Sequence, residues 1–205
     1  MANQLATDLF SEWAIVGRDE GMEKGHTPSV DIMLQHLLKN RKTPFSAIDI
    51  GCGNGWVVRR LTQHPLCCHA TGVDGASAMI EKARQLDPHG DYIEAMLPDW
   101  RPEQPVDLIH SMECLYYLHD PLTFLGELKQ YWITSGGKIV IGVDHYAENP
   151  SSLDWGNSLQ VHMTTLGIEA WIHGLQQAGF VDVQAMQVGE REGWAGTLVL
   201  IASAP

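Results

Sequence analysis

Three glycines alternate in Asp49-Ile50-Gly51-Cys52-Gly53-Asn54-Gly55, directly after the apolar run Ala47-Ile48. Residues without a Cβ let backbone come into contact with a ligand, and the amides of such a turn offer donors to its polar groups. Asp49 stands at the end of the run and faces the same cleft. Asp74 follows 19 residues beyond Gly55, close to the spacing of about 20 at which an acid reaches the hydroxyls of an adenosine ribose. Two carboxylate oxygens suit a vicinal diol. Both features also have plain readings, as loop punctuation and as a surface acid ending a strand. Groups able to move a proton near this cleft are His26, His110, Glu113, Tyr116, Tyr117 and His145. Each is also an ordinary structural or substrate-packing residue. Arg18 is a cation available to a ligand carboxylate.

The pattern of elements that must hold these residues alternates strand and helix. Residues 47–50 read as a buried strand, and Trp56-Val57-Val58-Arg59-Arg60-Leu61 as the helix leaving the glycine turn. Strands at 68–74, 91–95, 106–112 and 138–144 follow, with a helix at 76–84 and another from Pro121 through Trp132, which Gly136-Gly137 stops. A helix from Ile168 leads to strands at 181–186 and 196–202, whose short turn makes them antiparallel. Two helices precede everything, one around Leu9–Val16 and one over Val30–Leu38 after the start signal Thr27-Pro28-Ser29. Between them, residues 17–26 are rich in charge and glycine and read either as a solvated connector or as a mobile lid. Residues 145–163 form a long irregular segment, expected to cap the substrate pocket.

The turn, with an acid two residues before its first glycine and Trp56 where a dinucleotide fingerprint has its third glycine, resembles motif I of the class I S-adenosylmethionine-dependent methyltransferases. Val106–Met112 resembles motif IV, without an Asn-Pro-Pro-Tyr tetrapeptide. The resemblance covers about residues 45–203. It implies an α/β fold, a Rossmann-like seven-stranded, mostly parallel sheet in the order 3-2-1-4-5-7-6 with its last strand antiparallel and helices on both faces. S-adenosylmethionine then lies across the ends of strands 1, 2 and 4 and leaves as S-adenosylhomocysteine. Carried over position by position, Asp49, Gly51, Gly53, Gly55, Asp74 and Gly75 form its platform, and Met79 packs on the adenine. Glu94 and Ala95 face the adenine amino group, Ser111 edges the methionine arm beside His110 and Met112, and Arg18 meets the methionine carboxylate. Glu113, Tyr116 and Tyr117 look toward the substrate. The single domain, 1–205, divides into a helical cap (1–44), a cofactor half (45–144), a cap loop (145–163) and a C-terminal helix with hairpin (164–205).

With 205 residues and a formal charge of −12, the chain is one domain poorly suited to a nucleic-acid backbone or an anionic membrane. The start shows no basic stretch before an apolar core and no window is long enough to span a bilayer, so a cytoplasmic protein is expected. Four cysteines without a C-x-x-C pair read as free thiols, and no metal is expected. The expected activity is methyl transfer to an N, O or S atom of a small molecule by in-line displacement. The alternatives are methylation of a protein side chain, and a non-catalytic cofactor-binding regulator or partner subunit. Tyr116, Tyr117, Tyr146 and Trp155 could hold a cationic or planar substrate by their ring faces, or be core. The base, the acceptor and the oligomeric state stay open.

Overall fold

Alternation along the central strands decides the layers. In β1 (Phe45–Ile50), Ile48 and Ile50 point to one face and Ala47 to the other. In β4 (Val106–Met112), Ile109 and Leu108 divide the same way, as do Ile139 and Val140 in β5 (Ile133–Val143). Both faces are therefore apolar and both take helices. The computed structural model of the chain describes residues 4–205, so the first three residues of the expected leaderless start and helical cap lie outside the described residues.

On one face pack α2 (Asp19–Leu38), α3 (Trp56–Thr62) and α4 (Ser77–Leu86), through Val30, Met33, Leu37, Val58, Leu61 and Ile80. On the other lie α5 (Pro121–Glu127) and α7 (Ile168–Gln177), through Phe124, Leu125, Trp171 and Leu175. β2 (Cys67–Asp74), β3 (Asp91–Glu94), β6 (Val181–Val188) and β7 (Thr197–Ser203) complete the order β3-β2-β1-β4-β5-β7-β6. β7 runs antiparallel to both neighbours, and the other pairs are parallel. This is the expected Rossmann-like sheet. No helix among the described residues is long and apolar enough to cross a membrane.

Three local expectations are corrected. The segment 17–26 is not a loose connector, because α2 already begins at Asp19 and carries Pro28 in its interior. The Thr27 hydroxyl donates to the Glu23 carbonyl, 2.8 Å, beside the position where Pro28 has no N–H to give. What starts the helix early is Asp19, which is buried and takes hydrogen bonds from Lys82 Nζ at 2.8 Å and Asn54 Nδ2 at 2.9 Å. Asp19→Ala strands those donors, so a loss of about 1–3 kcal/mol in urea-unfolding free energy is expected; an unchanged midpoint would show that the anchor is idle. The helix expected up to Gly136-Gly137 ends at Trp132, and the two glycines sit inside β5 at an irregularity opposite β4. Gly136, with φ +80°, donates there to the Ala204 carbonyl. Within 145–163, a short α6 (Trp155–Leu159) forms, and only His162 reaches the main cavity.

Candidate active site

Parallel strands bring their carboxyl ends to one edge of the sheet, and between β1 and β4 the strand order reverses. At such a point the connections diverge and leave a crevice. A cavity of about 460 Å³ lies there, with Asp49, Gly51, Gly53, Asp74, His110 and Met112 on its wall, all from or just after the ends of β1, β2 and β4. α1 (Ala6–Ile15) and α2 roof it with Phe10, Met22, Glu23 and His26.

The glycine turn divides by what surrounds it. All three glycines have positive φ, which β-carbon sterics disfavour for other residues. A Cβ on Gly51 would lie 2.4 Å from the Cβ of Cys114, and one on Gly55 would lie 2.3 Å from the Tyr92 ring. A Cβ on Gly53 would meet only the Met79 sulfur, at 3.9 Å, with the cavity beyond it. Gly53 is therefore the open cradle, and Gly51 and Gly55 are packing positions. Gly53 N–H donates to one oxygen of Asp74 at 2.9 Å, and Ala76 N–H to the other at 2.8 Å. Burial raises the Asp74 carboxyl above the ordinary range while these donors pull it back. The carboxylate is thus oriented by the turn it flanks.

Deeper in the wall, Asp49 and His110 face each other across neighbouring strands, in register at the centre of the sheet. His110 Nδ1 lies 2.7 Å from Asp49 Oδ1, and both residues are buried. A carboxylate only accepts, so Nδ1 is the nitrogen that donates to Asp49, and in the neutral ring Nε2 is the acceptor. Nε2 is buried with no protein partner, on a residue that lines the cavity. Buried polar atoms are almost always paired, and this one is an opening for a ligand proton.

Glu113 closes β4 in the left-handed backbone region, φ +55°, a conformation uncommon outside glycine and concentrated at functional sites. Its N–H donates to the Gly142 carbonyl, one side-chain oxygen accepts from Asp144 N–H, and the other accepts from the Tyr116 hydroxyl at 2.7 Å. Burial, and then the neighbouring Asp144, push its carboxyl well above the usual range. Asp144 Oδ1 is buried without a partner, and Oδ2 lies 3.6 Å from His26 Nε2.

Of the residues expected at the site, Asp49, Gly51, Gly53, Asp74, Gly75, Met79, His110, Glu113, Tyr117 and His26 line the cavity. Others do not. Arg18 lies over the Trp13 ring, 5.8 Å from its centroid, on the exposed start of α2. Glu94 is exposed at the end of β3, and the wall expected from Glu94 and Ala95 is supplied by Met96, Leu97 and Pro98. The Ser111 hydroxyl is turned into the sheet, donating to the Ile50 carbonyl at 3.0 Å. Tyr116 is buried behind Glu113 and Tyr117. His145 lies elsewhere, held by the Ser152 carbonyl at 3.0 Å and Thr165 Oγ1 at 2.8 Å, with burial lowering its pKa. Tyr146 is core, donating to the Ala195 and Gly196 carbonyls, and Trp155 stacks on Trp194. Sequence reading missed Phe10, Glu127 and the pair His119–His162, whose rings sit 3.9 Å apart. No local pattern marks them, since they come from four separate segments.

The molecule's likenesses agree with this geometry. A family model described as a methyltransferase domain matches residues 29–185. The trans-aconitate 2-methyltransferase of Azoarcus sp. (strain BH72) is 32% identical over 106 residues, which are 52% of this chain and 42% of that protein. The chain thus spans about two-fifths of the length of the curated relatives it matches. Among solved structures, a chain of the complex between the Haloferax volcanii Trm112 methyltransferase activator and a methyltransferase superimposes with a TM-score of 0.80 at 25% identity, covering 97% of this chain and 98% of that one. An S-adenosylmethionine-dependent methyltransferase from Mesorhizobium loti gives 0.72 at 19% identity over 87% and 97%, a likeness of fold.

Proposed function

The chain belongs to the class I S-adenosylmethionine-dependent methyltransferases, and on that premise we propose that it transfers a methyl group from S-adenosylmethionine to an N, O or S atom of a small molecule in the cytoplasm. The observation that carries this reading is the open cradle at Gly53, joined to the oriented Asp74 carboxylate, at the carboxyl ends of β1, β2 and β4. These residues fit the cofactor. Asp74 would take the ribose hydroxyls, the Gly51–Gly53 turn would lie under the methionine arm, and Met79 with Met96–Pro98 would wall the adenine. When bound, the cofactor supplies a methyl group on a positively charged sulfur. The chain's own residues bind and orient the acceptor, exclude water under the α1–α2 roof, and take the acceptor's proton at His110 Nε2, with Asp49 holding the tautomer. The curated relatives support a small acceptor.

Calorimetric titration with S-adenosylmethionine, S-adenosylhomocysteine and NAD in parallel tests the reading. Micromolar binding of the first two and none of the third is expected; binding of NAD alone would overturn it. Asp74→Ala should weaken S-adenosylmethionine binding by about 1.5–3 kcal/mol, the range for hydrogen bonds to a charged acceptor. Unaltered affinity in that titration would remove Asp74 from the ribose role.

A second reading, a subunit that works with a small activator protein, is supported by the likeness to the chain solved with Trm112. Methyl transfer by the purified chain alone would count against it.

A further inference from the structure

Every charged group on the cavity wall that is not an imidazole is a carboxylate: among the described residues, no lysine or arginine lines it. Several of these acids are already matched. Asp19 is paired with Lys82, Asp49 with His110, Asp74 with two backbone N–H groups, and Asp120 caps α5 through the Thr123 N–H. Glu23, Glu113 and Glu127 have no cationic partner on the wall. A polycarboxylate acceptor entering here would meet like charges in a partly dehydrated space and no guanidinium or ammonium to hold it. The His162 imidazole does not repair this, since burial and the neighbouring His119 lower its pKa and favour its neutral form.

We propose that the methyl acceptor is an amine that enters as its ammonium and is seated against Glu113, a proposal that rests on the methyl-transfer reading. Two observations converge on that seat. Glu113 and Asp144 are adjacent carboxylates beside His26, one oxygen of each and one His26 ring nitrogen lying within 4.8 Å of one another. Asp144 Oδ1 is buried with no partner among the described residues, so two adjacent carboxylates here have no lysine or arginine beside them and one oxygen lacks a hydrogen-bond donor. An ammonium supplies both. Tyr117 and Phe10, edge to face at 5.4 Å, line the same cavity and offer ring surfaces that attract a cation. The proton balance is then complete. One N–H bond of the ammonium breaks, its proton passes to His110 Nε2, and its electron pair stays on nitrogen. That pair forms the new N–C bond while the C–S pair passes to sulfur.

The seat has a pH signature. Glu113 is faced by Asp144 from the end of β5, by His26 from α2, and by Cys114, Tyr116 and Tyr117 from its own segment. Its raised carboxyl must ionise to hold an ammonium, so amine affinity rises with pH until the amine itself loses its proton.

The test is calorimetry on the full chain saturated with S-adenosylhomocysteine, from pH 6 to 8.5, with tyramine, butylamine, aminoethanol and trans-aconitate as probes, with and without EDTA. Binding of at least one amine that tightens as the pH rises across the range, and no binding of trans-aconitate, is expected. Glu113→Gln, checked by its retained S-adenosylhomocysteine affinity, should weaken the amine at least tenfold and flatten the pH slope. Binding of trans-aconitate in place of the amines, or equal amine affinity in the variant, overturns the proposal. Amine binding that EDTA abolishes assigns the His26–Glu113–Asp144 group to a divalent cation and overturns the ammonium seat. S-adenosylhomocysteine binding without amine binding overturns this proposal alone, whereas no S-adenosylhomocysteine binding overturns the methyl-transfer reading beneath it.

Discussion

Gly53→Val is expected to abolish S-adenosylmethionine binding while the chain stays folded. The position has φ +52°, so any side chain there carries strain of order 1–3 kcal/mol. That is affordable within a typical stability of about 5–15 kcal/mol. The decisive effect is local. Valine methyls would project past Met79 into the cavity, beside the N–H through which Gly53 orients Asp74. Gly53→Ala should retain part of the affinity, because it adds strain and one carbon. The neighbouring glycines make poorer probes, since a Cβ at Gly51 or Gly55 drives into Cys114 or Tyr92 and would unsettle the fold first. Calorimetry beside a thermal melt separates the two effects. A folded valine variant with wild-type affinity would remove the turn from the platform role.

His110→Gln is expected to lower kcat by about 10²–10⁴, the usual value of a positioned proton acceptor, with S-adenosylhomocysteine affinity little changed. Glutamine keeps a donor for the buried Asp49, so that carboxylate is not left uncompensated, as it would be in His110→Ala. The amide cannot take a proton at the Nε2 position. Rates measured at saturating acceptor and cofactor, with separate KM values, show whether the loss lies in chemistry or in binding. A glutamine variant that turns over at the wild-type rate would show that the acceptor needs no protein base, and would reduce the Asp49–His110 pair to a structural contact.

Much of the glycine turn and its flanking acids was legible in the chain because its logic is local. Gly51, Gly53 and Gly55 announce their backbone conformation by lacking a side chain, and Asp49 and Asp74 follow from where buried strands must end. The proton-moving candidates were legible in part: His26, His110, Glu113 and Tyr117 line the cavity. Arg18, expected at the methionine carboxylate, and His145 and Tyr116 have the right chemistry and stand in plausible segments, yet each is satisfied elsewhere, by Trp13, by Ser152 and Thr165, and by Glu113. Thr27-Pro28-Ser29 is a sound start signal on propensity, and it was overridden because Asp19 finds Lys82 and Asn54.

By itself, then, the sequence determined the alternation of strands and helices, the antiparallel ending and the glycine turn, since periodicity and backbone sterics act between near neighbours. Only the tertiary structure decided that His110 meets Asp49 across 61 residues, that Asp144 stands beside Glu113 and His26, and that among the described residues no lysine or arginine lines the wall. Those meetings depend on strand register and on how α1 and α2 close over the sheet. Both are set by the packing of the whole core, which no short window of sequence contains.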